Sequence, residues 1–173
     1  MIVFTDGSFN PKPQMAGLGA VILNGEQQHT IGCYSTLCTD NNVAEVAAIA
    51  MAIQYIDDYK IAERTTDKTL TIISDSQYAL HRILNDGDGR SQYEQEMLDY
   101  IKKFSKESKL KVHFMQVKGH QNSDDKIHTY NNMADRIAGE YRKIGLEIYR
   151  ERSGRKISRT LTNFIFNKKN RWQ

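Results

Sequence analysis

One stretch, Asn42 to about Tyr59, restricts the fold of this chain more than any other. It reads as a helix, and Ala47, Ala48, Ile49, Ala50, Ala52, Ile53 and Ile56 make it apolar nearly all round. A helix without a polar face has to be buried, and packing against a sheet is the expected solution. The preceding residues supply strands for that sheet. Met1–Asp6 reads as a buried strand, Gly17–Leu23 as a second and Gln27–Ser35 as a third. Asn24-Gly25 is a hairpin signal, so the second and third strands should be antiparallel. The third alternates poorly, which suits an edge. Gly7–Ala16 holds glycine, asparagine and both prolines, and reads as a loop.

Beyond the apolar helix, Leu70–Ser74 reads as a short strand. Asp75–Leu84 begins a helix that Asp86-Gly87-Asp88-Gly89 ends. Ser91–Lys106 is a further helix, with Tyr93, Met97, Leu98 and Ile101 on one side. Lys111–Val117 is a fifth strand, Gly119–His128 a polar loop and Asn131–Arg150 the last helix. The order βββ, α, β, αα, β, α predicts an α/β protein with a five-stranded mixed sheet flanked by helices.

A chain of 173 residues suffices for one domain with a proper core. The expected division is a domain over 1–149 and a tail over 150–173. The net charge is +3, and the tail holds eight basic residues against Glu151 alone. It is therefore +7 and the remainder −4. Basic segments attract nucleic acid through its phosphates. No apolar run approaches the roughly 20 residues of a membrane span, and no basic-then-apolar leader opens the chain. A cytoplasmic protein without membrane contact is expected. Cys33 and Cys38 read as ordinary thiols, since a zinc site wants about four ligands.

Four acids stand in distinct settings. They are Asp6 in Thr5-Asp6-Gly7-Ser8, Glu45 in Asn41-Asn42-Val43-Ala44-Glu45, Asp75 in Ser74-Asp75-Ser76-Gln77, and Asp135 in Asn131-Asn132-Met133-Ala134-Asp135. Each also has an ordinary reading. Asp6 suits a turn and Asp75 a helix cap. Glu45 could close a capping box with Asn42 as N-cap, and Asp135 could face solvent. Two considerations favour a site. Asp6 and Asp75 both follow strands of a βαβ arrangement, where ligands gather. Glu45 would be a lone acid at the start of a buried helix, which is costly without a partner. Brought together, the four would repel one another, and divalent cations resolve that conflict. Hard oxygen ligands suit Mg²⁺ or Mn²⁺. A carboxylate cage for two metals is a phosphodiester-cleaving site.

The succession T-D-G-S (5–8), N-N-x-x-E (41–45), S-D-S-Q (74–77), K-G-H (118–120) and an Asp inside the last helix resembles ribonuclease H of type 1. The likeness runs from Met1 to about Tyr149. It implies a ribonuclease H-like fold and cleavage of the RNA strand of RNA–DNA hybrids, leaving 5′-phosphate and 3′-hydroxyl ends. It also implies two Mg²⁺ ions, with Mn²⁺ as substitute, about 3.5–4 Å apart and held by Asp6, Glu45, Asp75 and Asp135. His120 would be a mobile proton shuttle, as an imidazole with an ordinary pKa of about 6.5 allows. His128, in the same expected loop, is the other candidate. Gly7, Ser8, Asn41, Asn42 and Gln77 would touch the minor groove of the hybrid, including 2′-hydroxyls.

The chain departs from the family pattern in two places. Phe9-Asn10-Pro11-Lys12-Pro13-Gln14 stands where the family often has a glycine-rich loop containing asparagine. The segment between Asp75 and the fifth strand lacks a Lys- and Trp-rich protrusion. The basic tail would replace that grip; docking on the domain and contact with a replication protein are the other readings. A monomer is expected. A DNA nuclease or resolvase on a related fold and a non-catalytic nucleic-acid-binding module are the rivals. The settings of the acids disfavour the first, and the presence of all four disfavours the second.

Overall fold

The computed structural model describes residues 1–65, 67–85, 87–118 and 125–153. Its first element is a long hairpin. β1 (Ile2–Pro11) pairs antiparallel with β2 (Gln14–Asn24) without a break, from Ile2 opposite Leu23 to Pro11 opposite Gln14. The loop expected over Gly7–Ala16 is instead the far half of this hairpin, and only Lys12 and Pro13 turn. Prolines are tolerated there because β1 loses its other neighbour after Phe4, so its outer half is an edge that needs no further donors. β2 pairs antiparallel with β3 (Gln27–Ser35) as expected. The turn is one residue later than Asn24-Gly25: Gly25 and Glu26 form it, and Gly25 takes a φ of 61° that favours glycine.

The apolar helix is α1 (Asn41–Asp58), buried along most of its length. Its cap is Asp40, whose carboxylate accepts from the Val43 N–H at 3.0 Å. A single turn, α2 (Ile61–Arg64), follows. The remaining elements are β4 (Thr69–Ser74), α3 (Gln77–Leu84), α4 (Gln92–Glu107), β5 (Lys111–Gln116) and α5 (Lys126–Ser153). Ser76 and Ser91 cap α3 and α4 through their hydroxyls. α5 is 28 residues long and starts at Lys126, so His128 belongs to it rather than to a loop. The early start follows from Asp125, which accepts from the Ile127 N–H, and from Ile127 and Tyr130, which pack on the sheet. Residues 119–124, including His120, and the tail from 154 to 173 lie outside the described residues.

The sheet order is β3-β2-β1-β4-β5, with β3 at an edge. β4 runs parallel to β1 and to β5. The expected five-stranded mixed sheet is therefore present, and alternation along its strands builds two cores. Val3, Leu18, Ala20, Ile22 and Ile72 face α1, α3 and α4. Phe4, Val21 and Ile73 face α5, against Ala134 and Ile137. Cys33 and Cys38 are free thiols in or beside the larger core, and burial pushes both up to about 12. No described helix is long and apolar enough to cross a membrane.

Candidate active site

The site forms where β4 ends and β1 continues. Parallel pairing stops at Phe4 opposite Ile73. Asp6, two residues on, is thus inside a ten-residue strand rather than at its end, just past the point where pairing with β4 stops. Asp75 follows the last residue of β4 and precedes the Ser76 cap of α3. This opening at the carboxyl end of a parallel strand is where α/β sheets place ligands.

Two helices bring the other acids, and glycines set how closely they approach. A Cβ on Gly7 would collide with the α1 backbone at Ala44 and Glu45. With only hydrogen there, α1 docks on β1, and the Gly7 N–H donates to Glu45 Oε2 at 3.1 Å. Asn41 donates to Glu45 Oε1 at 3.4 Å. Glu45 is one turn past the Asp40 cap, so it is no partner in a capping box with Asn42; its oxygens point to the site instead. On the opposite face, Gly19 pairs with Asp6 and has no side chain to hold off the α5 backbone at Ala134 and Ala138. That close approach sets Asp135 beside Asp6.

One oxygen from each of Asp6, Glu45 and Asp75 lies within 4.8 Å of the others. Asp6 and Glu45 are buried, each 6% exposed. Burial, then Asp135 and Asp75, push the Asp6 carboxyl up to about 8 from 3.8. Burial also raises Glu45 well above its ordinary value, with Asp6 and Asp75 adding to it and the Gly7 and Asn41 hydrogen bonds opposing. Asp135 is outside the tight group of three, but it is the first charge that Asp6 feels. Such a set of hard oxygen donors under mutual repulsion fits a divalent cation.

The other sequence candidates take up varied positions. Gly7 and Ser8 lie on β1 beside Asp6, Asn41 and Asn42 open α1, and Gln77 opens α3 with its side chain exposed. These residues flank the acids on two sides. His128 lies two turns before Asp135 on α5, hence on the same side of that helix. Sequence reasoning missed Asn131, one turn before Asp135. It is 2% exposed, and its side-chain oxygen has no hydrogen-bond partner among the described residues. Its spacing of four from Asp135 was the available signal.

The chain matches the RNase H family model over residues 1–143. It is 28% identical over 138 residues to a ribonuclease H of Chlorobaculum parvum, covering 79% of this chain and 90% of the relative. A ribonuclease H of Chlorobium phaeobacteroides is 29% identical over 140 residues, covering 80% and 92%. Among solved structures, LC11-RNase H1 in complex with an RNA/DNA hybrid superposes with a TM-score of 0.65 at 22% identity, over 84% of this chain and 98% of that one. The last likeness establishes the ribonuclease H-like fold.

Proposed function

Since the chain belongs to the RNase H family, we propose that it cleaves the RNA strand of RNA–DNA hybrids at the acid cluster, leaving 5′-phosphate and 3′-hydroxyl ends. The observation that carries this reading is the convergence of Asp6, Glu45 and Asp75 within 4.8 Å, with Asp135 repelling Asp6 from α5. These four residues would hold Mg²⁺, or Mn²⁺ as a substitute. Two such ions, when bound, supply an activated water and offset charge on the attacked phosphate.

The chain's own groups do the rest. The Gly7 N–H and the Asn41 amide hold Glu45 in one orientation, so the cluster is preorganised on two rigid elements. Gly7, Ser8, Asn41, Asn42 and Gln77 would meet the hybrid backbone on both sides of the acids, and contacts to 2′-hydroxyls would select RNA as the strand to be cut. Backbone contacts position a duplex without reading bases, so sequence preference should be weak. His120 would carry a proton to or from the reacting oxygens, and His128 is the competing candidate by its place on α5. General acid–base help is worth about 10²–10⁴-fold, so His120→Ala should slow turnover by that order while leaving hybrid affinity unchanged. A larger loss in His128→Ala would transfer the role to that residue.

The test of the function is cleavage by the purified protein with Mg²⁺ of three substrates: a hybrid, a double-stranded RNA and a DNA duplex. Cutting confined to the RNA of the hybrid is expected. Preference for a DNA duplex or a branched DNA would favour a DNA nuclease on the same fold instead.

A further inference from the structure

We propose that Arg90 is a positioning residue for the hybrid, tying the starts of α1 and α3 to one buried carboxylate, Glu94. The inference rests on the function proposed above, because Asn41, Asn42 and Gln77 at those starts are its candidate contacts.

Glu94, in the first turn of α4, is fully buried. Its Oε1 accepts from the Tyr78 hydroxyl at 2.7 Å, and its Oε2 accepts from the Arg90 backbone N–H at 2.7 Å. The Arg90 Nε lies 3.6 Å from the same Oε2. Tyr78 is the second residue of α3, next to Gln77. Its ring carries the Arg90 guanidinium at 4.7 Å from the centroid and that of Arg82 at 5.2 Å. Arg82 Nε also donates to the Tyr78 oxygen at 3.2 Å. From this seat Arg90 Nη2 donates to both carboxylate oxygens of Asp40, each at 3.0 Å. Asp40 is the cap of α1, immediately before Asn41.

The contacts form one chain from α4 through α3 and Arg90 to the start of α1. An exposed ion pair alone adds little stability, and the Arg90 and Asp40 side chains are 42% and 41% exposed. This pair differs in its anchoring. The guanidinium lies over a tyrosine ring, and its own backbone is fixed to a buried carboxylate. Its effect is therefore geometric: it sets the separation of two helix starts that would contact the hybrid together. Small misplacements of binding groups cost far more in function than in fold stability.

Steady-state hybrid cleavage by Arg90→Ala, Asp40→Asn and the double variant tests this. Asparagine still caps a helix, so Asp40→Asn removes the charge but not the cap. Each single variant should raise KM by about tenfold with kcat nearly unchanged, and the double should be no worse than either, as for two members of one network. Arg90→Lys should not rescue, because an ammonium has no planar face to lie on the ring. The salt dependence of binding should match wild type, since no phosphate-binding group is removed. If Arg90→Ala raises KM and flattens the salt slope while Asp40→Asn does not raise KM, Arg90 binds a phosphate itself and the positioning role is wrong. A fall in thermal stability with KM unmoved would make the network purely structural. Hybrid affinity of the same proteins, measured by fluorescence anisotropy without metal, decides the network even if wild type fails to cleave; that failure would count only against the proposed function.

Discussion

Asp6 carries the clearest electrostatic signature in the molecule, and the sign of its effect is testable. Its folded pKa of about 8 lies far above 3.8. Between those values the folded chain keeps a proton that the unfolded chain has released. Stability must therefore fall as pH rises from about 4 through 8 and level off above, whenever no metal is bound. Asp6→Asn removes the Asp6 share of this slope and leaves the share of Glu45, whose carboxyl burial raises as well. In a chelating buffer its melting temperature should exceed that of wild type by little near pH 4 and by most above pH 8. Added Mg²⁺ should narrow the gap, because the ion stabilises wild type and finds one ligand fewer in the variant. A melting-temperature difference independent of pH would mean that Asp6 is not under the repulsion the geometry gives it.

At the scale of elements, glycines in β1 and β2 decide where the helices sit. Gly19→Ala places a methyl against the α5 backbone at Ala134 and Ala138, and α5 has to move away from Asp6. Overpacking of this kind costs about 1–3 kcal/mol, and turnover should fall with it. Gly139 is the control. It lies within α5 with open space where a Cβ would go, so Gly139→Ala should stabilise by about 0.5–1 kcal/mol. Denaturant unfolding of the two variants should give shifts of opposite sign.

The same glycines show what the sequence conceals. The all-round apolar character of α1, the β-rich run Leu70–Ser74 and the hairpin signal at Asn24-Gly25 are local, and the elements formed there. The outer half of the first hairpin was not legible, because Gly7, Asn10 and two prolines give a turn-like composition that pairing with β2 overrides. Asn42 looked like the cap of α1, but Asp40 makes the bond to the Val43 N–H. That choice turned Glu45 from a capping group into a site group. The acids were visible as motifs; that α5 could come close enough to set Asp135 beside Asp6 depended on Gly19, whose role no local pattern announces.

At the scale of the molecule, charge is divided between a mildly acidic body and the basic residues from Arg150 onward. Arg150 and Arg152 belong to the last turn of α5. We propose that the tail over 150–173, whose first four residues continue α5 beyond the domain over 1–149, is an added grip on the hybrid. Truncation after Arg152 removes six further basic residues. It should weaken hybrid binding and lower the salt slope by roughly 0.9 for each phosphate that is no longer neutralised. Turnover at saturating substrate should hold, since every acid remains. An unchanged KM and slope would assign the tail to docking or to a protein partner instead.

We propose that the carboxylates gathered where β4 leaves β1 are the hybrid-cutting centre. Asp75 is the residue to replace, because it is less buried than Asp6 and Glu45 and its replacement disturbs the fold least. The measurement is single-turnover cleavage of a labelled RNA–DNA hybrid with Mg²⁺, comparing wild type with Asp75→Asn. We predict rapid cutting of the RNA strand by wild type and none above background by a folded Asp75→Asn protein that still binds the hybrid. Cleavage by Asp75→Asn at a rate near that of wild type would mean that these carboxylates are not where the hybrid is cut.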